Sequence, residues 1–133
     1  MKFIIPGEPK AKARHRTSNG HSYTPESTAL YENWIKQCYI TSENKERLEG
    51  QIEARIKAFF SIPKSTSKTK RSQMLSGEIR PTKKPDTDNI AKCVLDACNN
   101  LAYKDDSQIV KLVVEKYYGD DPRLEVDFNT IIF

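Results

Sequence analysis

From Gln51 to Ile62 the apolar side chains fall on alternate positions: Ile52, Ala54, Ile56, Ala58, Phe60 and Ile62. A period of two marks a β-strand with one buried face, because successive side chains leave a strand on opposite sides. Pro63 ends the run, since it has no amide hydrogen for a ladder. Such a strand needs partner strands at its edges and an apolar layer over one face. Lys2–Ile5 predicts a short strand, ended by Pro6 and Gly7. Gln108–Tyr118 and Arg123–Phe133 predict two longer ones, and Leu124, Val126, Phe128, Thr130 and Ile132 alternate in the last. Gly119–Pro122 between them reads as a hairpin turn.

Two segments carry helical spacing and can form the covering layer. Thr24 suits an N-cap and Pro25 the first helical position. Leu30, Tyr31, Trp34, Ile35 and Cys38 then recur as an apolar stripe, which assigns Trp34 to core packing rather than to stacking on a base. A second helix is expected from about Asp88 to Leu101. Ile90, Val94, Cys98 and Leu101 lie on one side of it, with Ala91 and Leu95 flanking. Asp88, Lys92, Asp96 and Asn99 fall within a ~80° stripe on the other. Between the strand and this helix, Ser67 can cap a short helix through Leu75, with Gly77 just past its end. The order β, α, β, α, β, β has no regular βαβ repeat. It predicts an α+β fold, a small mixed sheet of about four strands with two main helices, in a single domain spanning 1–133.

Charge is unevenly distributed along the chain. Before residue 86 there are 17 Lys and Arg against 8 acidic residues, +9; from Asp86 onward there are 5 against 10, −5. A basic surface beside an acidic pocket suits a polyanion held over metal ions, although uneven charge also occurs on proteins that bind no nucleic acid. Glu8–Ser22, with Lys10, Lys12, Arg14, His15 and Arg16, lacks periodicity and is expected to be a mobile basic loop. Lys64–Lys84 carries Lys64, Lys68, Lys70, Arg71, Arg80, Lys83 and Lys84 against Glu78 alone. Its position directly before the acidic motif favours phosphate contact over a solvated connector. Cys38, Cys93 and Cys98 form neither a CxxC pair nor an even set, which argues against a disulfide framework and a zinc knuckle. No apolar run is long enough to span a bilayer and no signal peptide is expected, so the chain reads as cytoplasmic.

The chemistry concentrates in KPDTDNIAKCVLDACNNLAYKDDSQIV, residues 84–110. Hydrolysis of a phosphodiester needs developing negative charge neutralised and water made nucleophilic. Magnesium does both, and it prefers carboxylate oxygens while keeping several waters. If the chain is extended at Asp86 and Asp88, the two face the same side ~7 Å apart, close enough to share a metal. A helix N-terminus would favour their ionised forms. Lys92 lies ~6 Å further along the same helical face. As a surface partner of Asp88 it would contribute only about a few tenths of a kcal/mol; against a scissile phosphate it could offset transition-state charge. Asp105 and Asp106 open the next expected strand and so point to opposite faces, which leaves room for one of them in a site.

These residues resemble the RusA family of Holliday-junction resolvases, small dimeric endonucleases common in prophages. The resemblance rests on PDTDN at 85–89, Lys92, LD at 95–96 and KDDSQI at 104–109. It extends to the N-terminal PGEPKAKARHR and to Lys116, Tyr118 and Gly119. By motif position, the resemblance implies that Asp86, Asp88 and Asp106 are metal ligands and that Lys92 is an essential catalytic lysine. It implies a dimer that makes paired, magnesium-dependent incisions in a four-way DNA junction in recombination or repair, with manganese as a possible substitute. Where some members carry an arginine before the first aspartate, this chain has Pro85, so phosphate contact there falls to Lys83 or Lys84. The expected DNA-binding residues are Lys10, Lys12, Arg14, Arg16, Lys68, Lys70, Arg71, Lys83 and Lys84. Two alternatives stand beside this reading: a metal-dependent nuclease on flaps or ordinary duplex, and a non-catalytic nucleic-acid-binding module.

Overall fold

A computed structural model describes residues 1–10, 16–18, 20–23, 26–43 and 46–132, without the side chains of 16–18 and 21–23. Its centre is the alternating segment, strand β4 (Ile52–Ser61). Ile52, Ala54, Ile56, Ala58 and Phe60 are all buried on one face. Strand β6 (Arg123–Thr130) runs antiparallel along one edge of β4, pairing Val126 with Ile56. Strand β1 (Lys2–Pro6) in turn pairs antiparallel with β6, Phe3 beside Val126. Strand β5 (Ile109–Gly119) lies parallel to β4 on its other edge, so the sheet order is β1-β6-β4-β5.

The hairpin expected at Gly119–Pro122 is not formed. The chain does reverse there, but β6 lands on the far side of β4 instead of beside β5. Everything between β4 and β5 is a helical crossover, which returns the chain parallel to β4 and fills that edge. The short link then passes the end of β4, where Gly119 pairs with Ser61 and Arg123 with Phe59. A Cβ at Gly119 would sit 3.2 Å from the Phe59 ring, so a side chain there would have to displace that ring by a few tenths of an ångström.

Helices α1 (Glu26–Thr41) and α3 (Thr87–Cys98) pack together over the apolar face of the sheet. Tyr31, Ile35 and Tyr39 face inward from α1; Ile90, Val94 and Ala97 do so from α3. Two sequence expectations change here. Trp34 is 45% exposed and Leu30 62%, because they lie about 100° round the helix from the Tyr31–Ile35 line. The Trp34 indole instead donates to the Pro6 carbonyl at 3.0 Å, fastening α1 to the end of β1. The basic stretch after Glu8 also holds an antiparallel ribbon, β2 (Arg16–Ser18) with β3 (His21–Tyr23). Lys12, Arg14 and the expected Thr24–Pro25 cap lie outside the described residues.

Helix α2 (Lys68–Ser76) forms where its cap signals place it. The Ser67 side chain accepts the Lys70 amide at 3.3 Å, and Gly77 takes the left-handed conformation, φ 87°, that closes the helix. The segment after it is bound to the open face of the sheet by a stack of planar groups. Arg80 lies 4.3 Å from the Tyr117 ring centre, Tyr117 stacks on Phe59 at 5.5 Å, and Arg123 covers Phe59 at 3.9 Å. The acids of that face are paired locally, Glu53 with Arg55 and Lys111, and Glu125 with Arg123. No described helix is long and apolar enough to cross a membrane.

Candidate metal and nucleic-acid site

Helix α3 is the frame of the site, and acidic residues stand at both of its ends. Asp86 occupies the N-cap with φ −74° and ψ 155°, and Asp88 lies in the first turn, so the backbone is extended at Asp86 and helical at Asp88. An aspartate at an N-cap ordinarily accepts an amide of the first turn. The Asp86 side chain makes no such bond. Asp86, Asp88 and Lys92 are all exposed, and among the described residues none of the three joins an ion pair. The surface pair that would have made Lys92 a simple partner of Asp88 is therefore not formed. The approach to Asp86 is anchored by Lys116, whose ammonium donates to the Lys83 carbonyl at 2.5 Å and lies 5.1 Å from the Phe60 ring centre.

At the other end the helix stops at Cys98, shorter than the expected Leu101, because Asn100 turns left-handed at φ 64°. The Tyr103 hydroxyl caps this end by donating to the Leu95 carbonyl at 2.7 Å. Asp105 and Asp106 then form a short 3₁₀ turn, Asp106–Gln108, instead of opening the strand. This separates the two acids by role. The Asp105 carboxylate accepts the Ser107 amide at 3.2 Å, and its bonds from the Ser107 hydroxyl and amide hold its carboxyl below the usual range. Asp106 is exposed, and its amide donates to the Asn99 side chain at 2.9 Å. Among the described residues its carboxylate accepts no hydrogen bond. Of the pair, Asp105 alone spends its carboxylate on the turn.

Asp86, Asp88 and Asp106 thus share one property: exposed oxygens unspent on the protein, a donor set that suits magnesium. They do not share one place. From Asp88 to Asn99, beside Asp106, the helix rises about 16 Å. Among the described residues no three His, Cys, Asp or Glu side chains come together as a group that could hold a metal.

The basic residues distribute unequally. Lys68, Lys70, Lys83 and Lys84 are exposed on α2 and on the approach to α3. Arg71 is ion-paired with Asp120, so part of its charge is already used within the fold. Lys10 is exposed and lies 5.8 Å from the Tyr31 ring centre. Arg16 lies in β2 with its side chain outside the description.

Sequence reasoning passed over Gln108, which completes a capping box with Asp105. The signal was present as Asp105-x-x-Gln108, the spacing of that motif. It also passed over Asn99 as the acceptor for Asp106. That contact joins a helix end to a turn, and no local pattern announces it.

The chain is 39% identical over 132 residues to the uncharacterized protein YqaN of Bacillus subtilis (strain 168), covering 95% of this chain and 93% of that protein. A family model described as endodeoxyribonuclease RusA matches residues 6–129, which include both ends of α3 and the whole of β4 and β5, with β6 up to Asn129. A match over nearly the whole length, with the acidic and basic elements inside it, makes this chain a member of the RusA endodeoxyribonuclease family.

Proposed function

We propose that the protein is a magnesium-dependent endodeoxyribonuclease that resolves four-way DNA junctions by paired, symmetric incisions, as a homodimer. The observation that carries this reading is the state of Asp86, Asp88 and Asp106. Within a nuclease fold they are the exposed acids of the motif that the protein itself leaves unused, while neighbouring Asp105 is consumed by a turn. A pure binding module would gain nothing from unpaired carboxylates beside its phosphate contacts.

Magnesium, or manganese in its place, would neutralise phosphate charge and lower the pKa of a bound water. Asp86, Asp88 and Asp106 would hold it. Lys92, exposed one turn beyond Asp88 and not neutralised by it, would offset charge developing on the phosphate. Lys68, Lys70, Lys83 and Lys84, with Lys10, Lys12, Arg14 and Arg16, would contact phosphates and place the scissile strand at the N-terminus of α3. Arg71 would contribute less, being paired with Asp120.

The separation of the acids along α3 supports a dimer. Two aspartates that share one ion have Cα atoms no more than about 11 Å apart, from metal–oxygen bonds of about 2.1 Å and the reach of the side chains. Along its axis α3 rises about 16 Å from Asp88 to Asn99, whose side chain holds the Asp106 amide, and among the described residues of one protomer no three acids gather as a group. A second copy related by a two-fold axis can bring its own Asp106 beside Asp86 and Asp88, and symmetry then makes the site twice. Two sites in one assembly fit the near two-fold symmetry of a four-way junction.

The test is cleavage of a synthetic four-way junction beside a linear duplex of the same arm sequence, with magnesium or with EDTA. Paired nicks in the junction, with magnesium only, support the proposal. Equal cutting of the linear duplex would make the protein a less selective nuclease, and binding without cutting in magnesium would make it a binding module.

A further inference from the structure

We infer that Gln108 is a positioning residue that holds Asp106 where a metal ion can use it, with Asn99 as its counterpart. The inference rests on the nuclease reading above. The Gln108 side-chain amide is fully used. Its Oε1 accepts the backbone amides of Lys104 at 3.0 Å and Asp105 at 3.1 Å. Its Nε2 donates to the carbonyls of Leu48 at 3.3 Å and Gly50 at 3.2 Å. The two carbonyls belong to the segment leading into β4, nearly sixty positions away in sequence. One side chain therefore ties the turn carrying Asp106 to the start of the central strand. Leu48 reinforces the tie, donating its amide to the Ala102 carbonyl at 2.8 Å.

On the other side the Asp106 amide is held by Asn99 at the end of α3. The Asp106 backbone is thus fixed from the sheet and from the helix, while its carboxylate stays exposed and unpaired among the described residues. Only an amide serves at position 108. A glutamate could accept the two N–H groups but would set an oxygen against the Leu48 and Gly50 carbonyls. A hydrophobic residue of the same length would leave all four backbone groups unmatched. Groups that orient a metal ligand through hydrogen bonds are worth about 10- to 100-fold in metal affinity or activity.

The experiment compares wild type with Gln108→Met, Gln108→Glu and Asn99→Ala. Gln108→Met breaks all four bonds without adding charge. Gln108→Glu is nearly isosteric and breaks two. Asn99→Ala releases Asp106 from the other side. Four quantities are read: folding by circular dichroism, Mn²⁺ affinity from the electron paramagnetic resonance of the free ion, junction affinity in Ca²⁺, and the Mg²⁺ midpoint for cleavage. The expected result for Gln108→Met and Asn99→Ala is a Mn²⁺ dissociation constant and a Mg²⁺ midpoint both raised about tenfold or more. Junction affinity in Ca²⁺ should hold, and the cleavage rate should recover at saturating metal. Amide exchange over residues 99–108 should accelerate. If Gln108→Met does not fold, Asn99→Ala and Gln108→Glu carry the comparison. Unchanged Mn²⁺ affinity and Mg²⁺ midpoint in folded variants, even with lowered thermal stability, would overturn the inference and leave Gln108 a structural staple. A wild-type protein that neither binds Mn²⁺ nor cuts DNA would overturn the nuclease reading itself, and this inference with it.

Discussion

If Asp106 serves a site in a second copy, two dead proteins should make a live one. Asp88→Asn and Asp106→Asn each remove a charge from the ligand set with little change in bulk, and each alone should be inactive. When the two are mixed and their subunits exchange, a mixed dimer carries one doubly damaged site and one intact site. The intact site pairs the unaltered Asp88 of one copy with the unaltered Asp106 of the other. At equal amounts with free exchange, about half the dimers are mixed, each with one working site of two, so about a quarter of wild-type sites return. The expectation rests on the placement of Asp88 in the first turn of α3 and of the Asp106 amide at Asn99, about 16 Å further along the helix axis. The assay is a supercoiled plasmid with an extruded cruciform. Wild type should linearise it, each variant alone should leave it supercoiled, and the mixture should give open circles. Subunit exchange is checked separately by mass tagging. A mixture as inert as its parents after proven exchange would refute the reasoning and put all three aspartates to work within one protomer.

Four further outcomes are expected. Asp105→Asn should impair cleavage less than Asp106→Asn, since the Asp105 carboxylate is occupied by Ser107; the reverse order of single-turnover rates would reverse the assignment. Lys92→Ala should keep metal and junction binding but lose turnover, and Lys92→Arg should recover little, because a planar guanidinium replaces a point charge; a normal single-turnover rate would return Lys92 to the surface. Neutralising Lys10, Lys12, Arg14 and Arg16 together should flatten the salt dependence of DNA binding, by about 0.9 in log–log slope for each phosphate that the variant no longer neutralises; an unchanged slope would remove the N-terminal basic stretch from the interface. Tyr103→Phe should lower stability by about 1–2 kcal/mol in urea denaturation, since the hydroxyl is buried and the Leu95 carbonyl loses its donor; a change within error would show that carbonyl satisfied without it.

The parts legible in the sequence are those whose cause is local. The alternation of Ile52, Ala54, Ile56, Ala58 and Phe60 was enough for β4, because a strand's faces follow from its own pleat. The stripe of Asp88, Lys92 and Asn99 on α3 is solvent-facing as its period required, with Asp96 half-buried. Ser67 and Gly77 bounded α2 because capping groups bond within one turn of themselves. Trp34 was misjudged for the complementary reason. Its spacing is apolar and helical, but which line of a helix faces inward depends on the sheet that receives it, and Tyr31 and Ile35 took that place.

By itself, then, the sequence determined the α+β class, the presence and order of the main strands and helices, the family, and the candidate residues Asp86, Asp88, Lys92 and Asp106. Each follows from patterns spanning a few residues or from a motif. Tertiary structure alone decided that β6 lies across β4 from β5, since two strands compete for that edge and the helical crossover settles which takes it. It also decided that Asp105 is spent and Asp106 is not. Gln108 closes the turn only because the carbonyls of Leu48 and Gly50 are brought to it from the far side of the chain. The placement of acids at the two ends of α3 was likewise invisible in their spacing. A turn can return the chain toward a helix or hold it at the helix end, and the contact of Asn99 with the Asp106 amide holds it there.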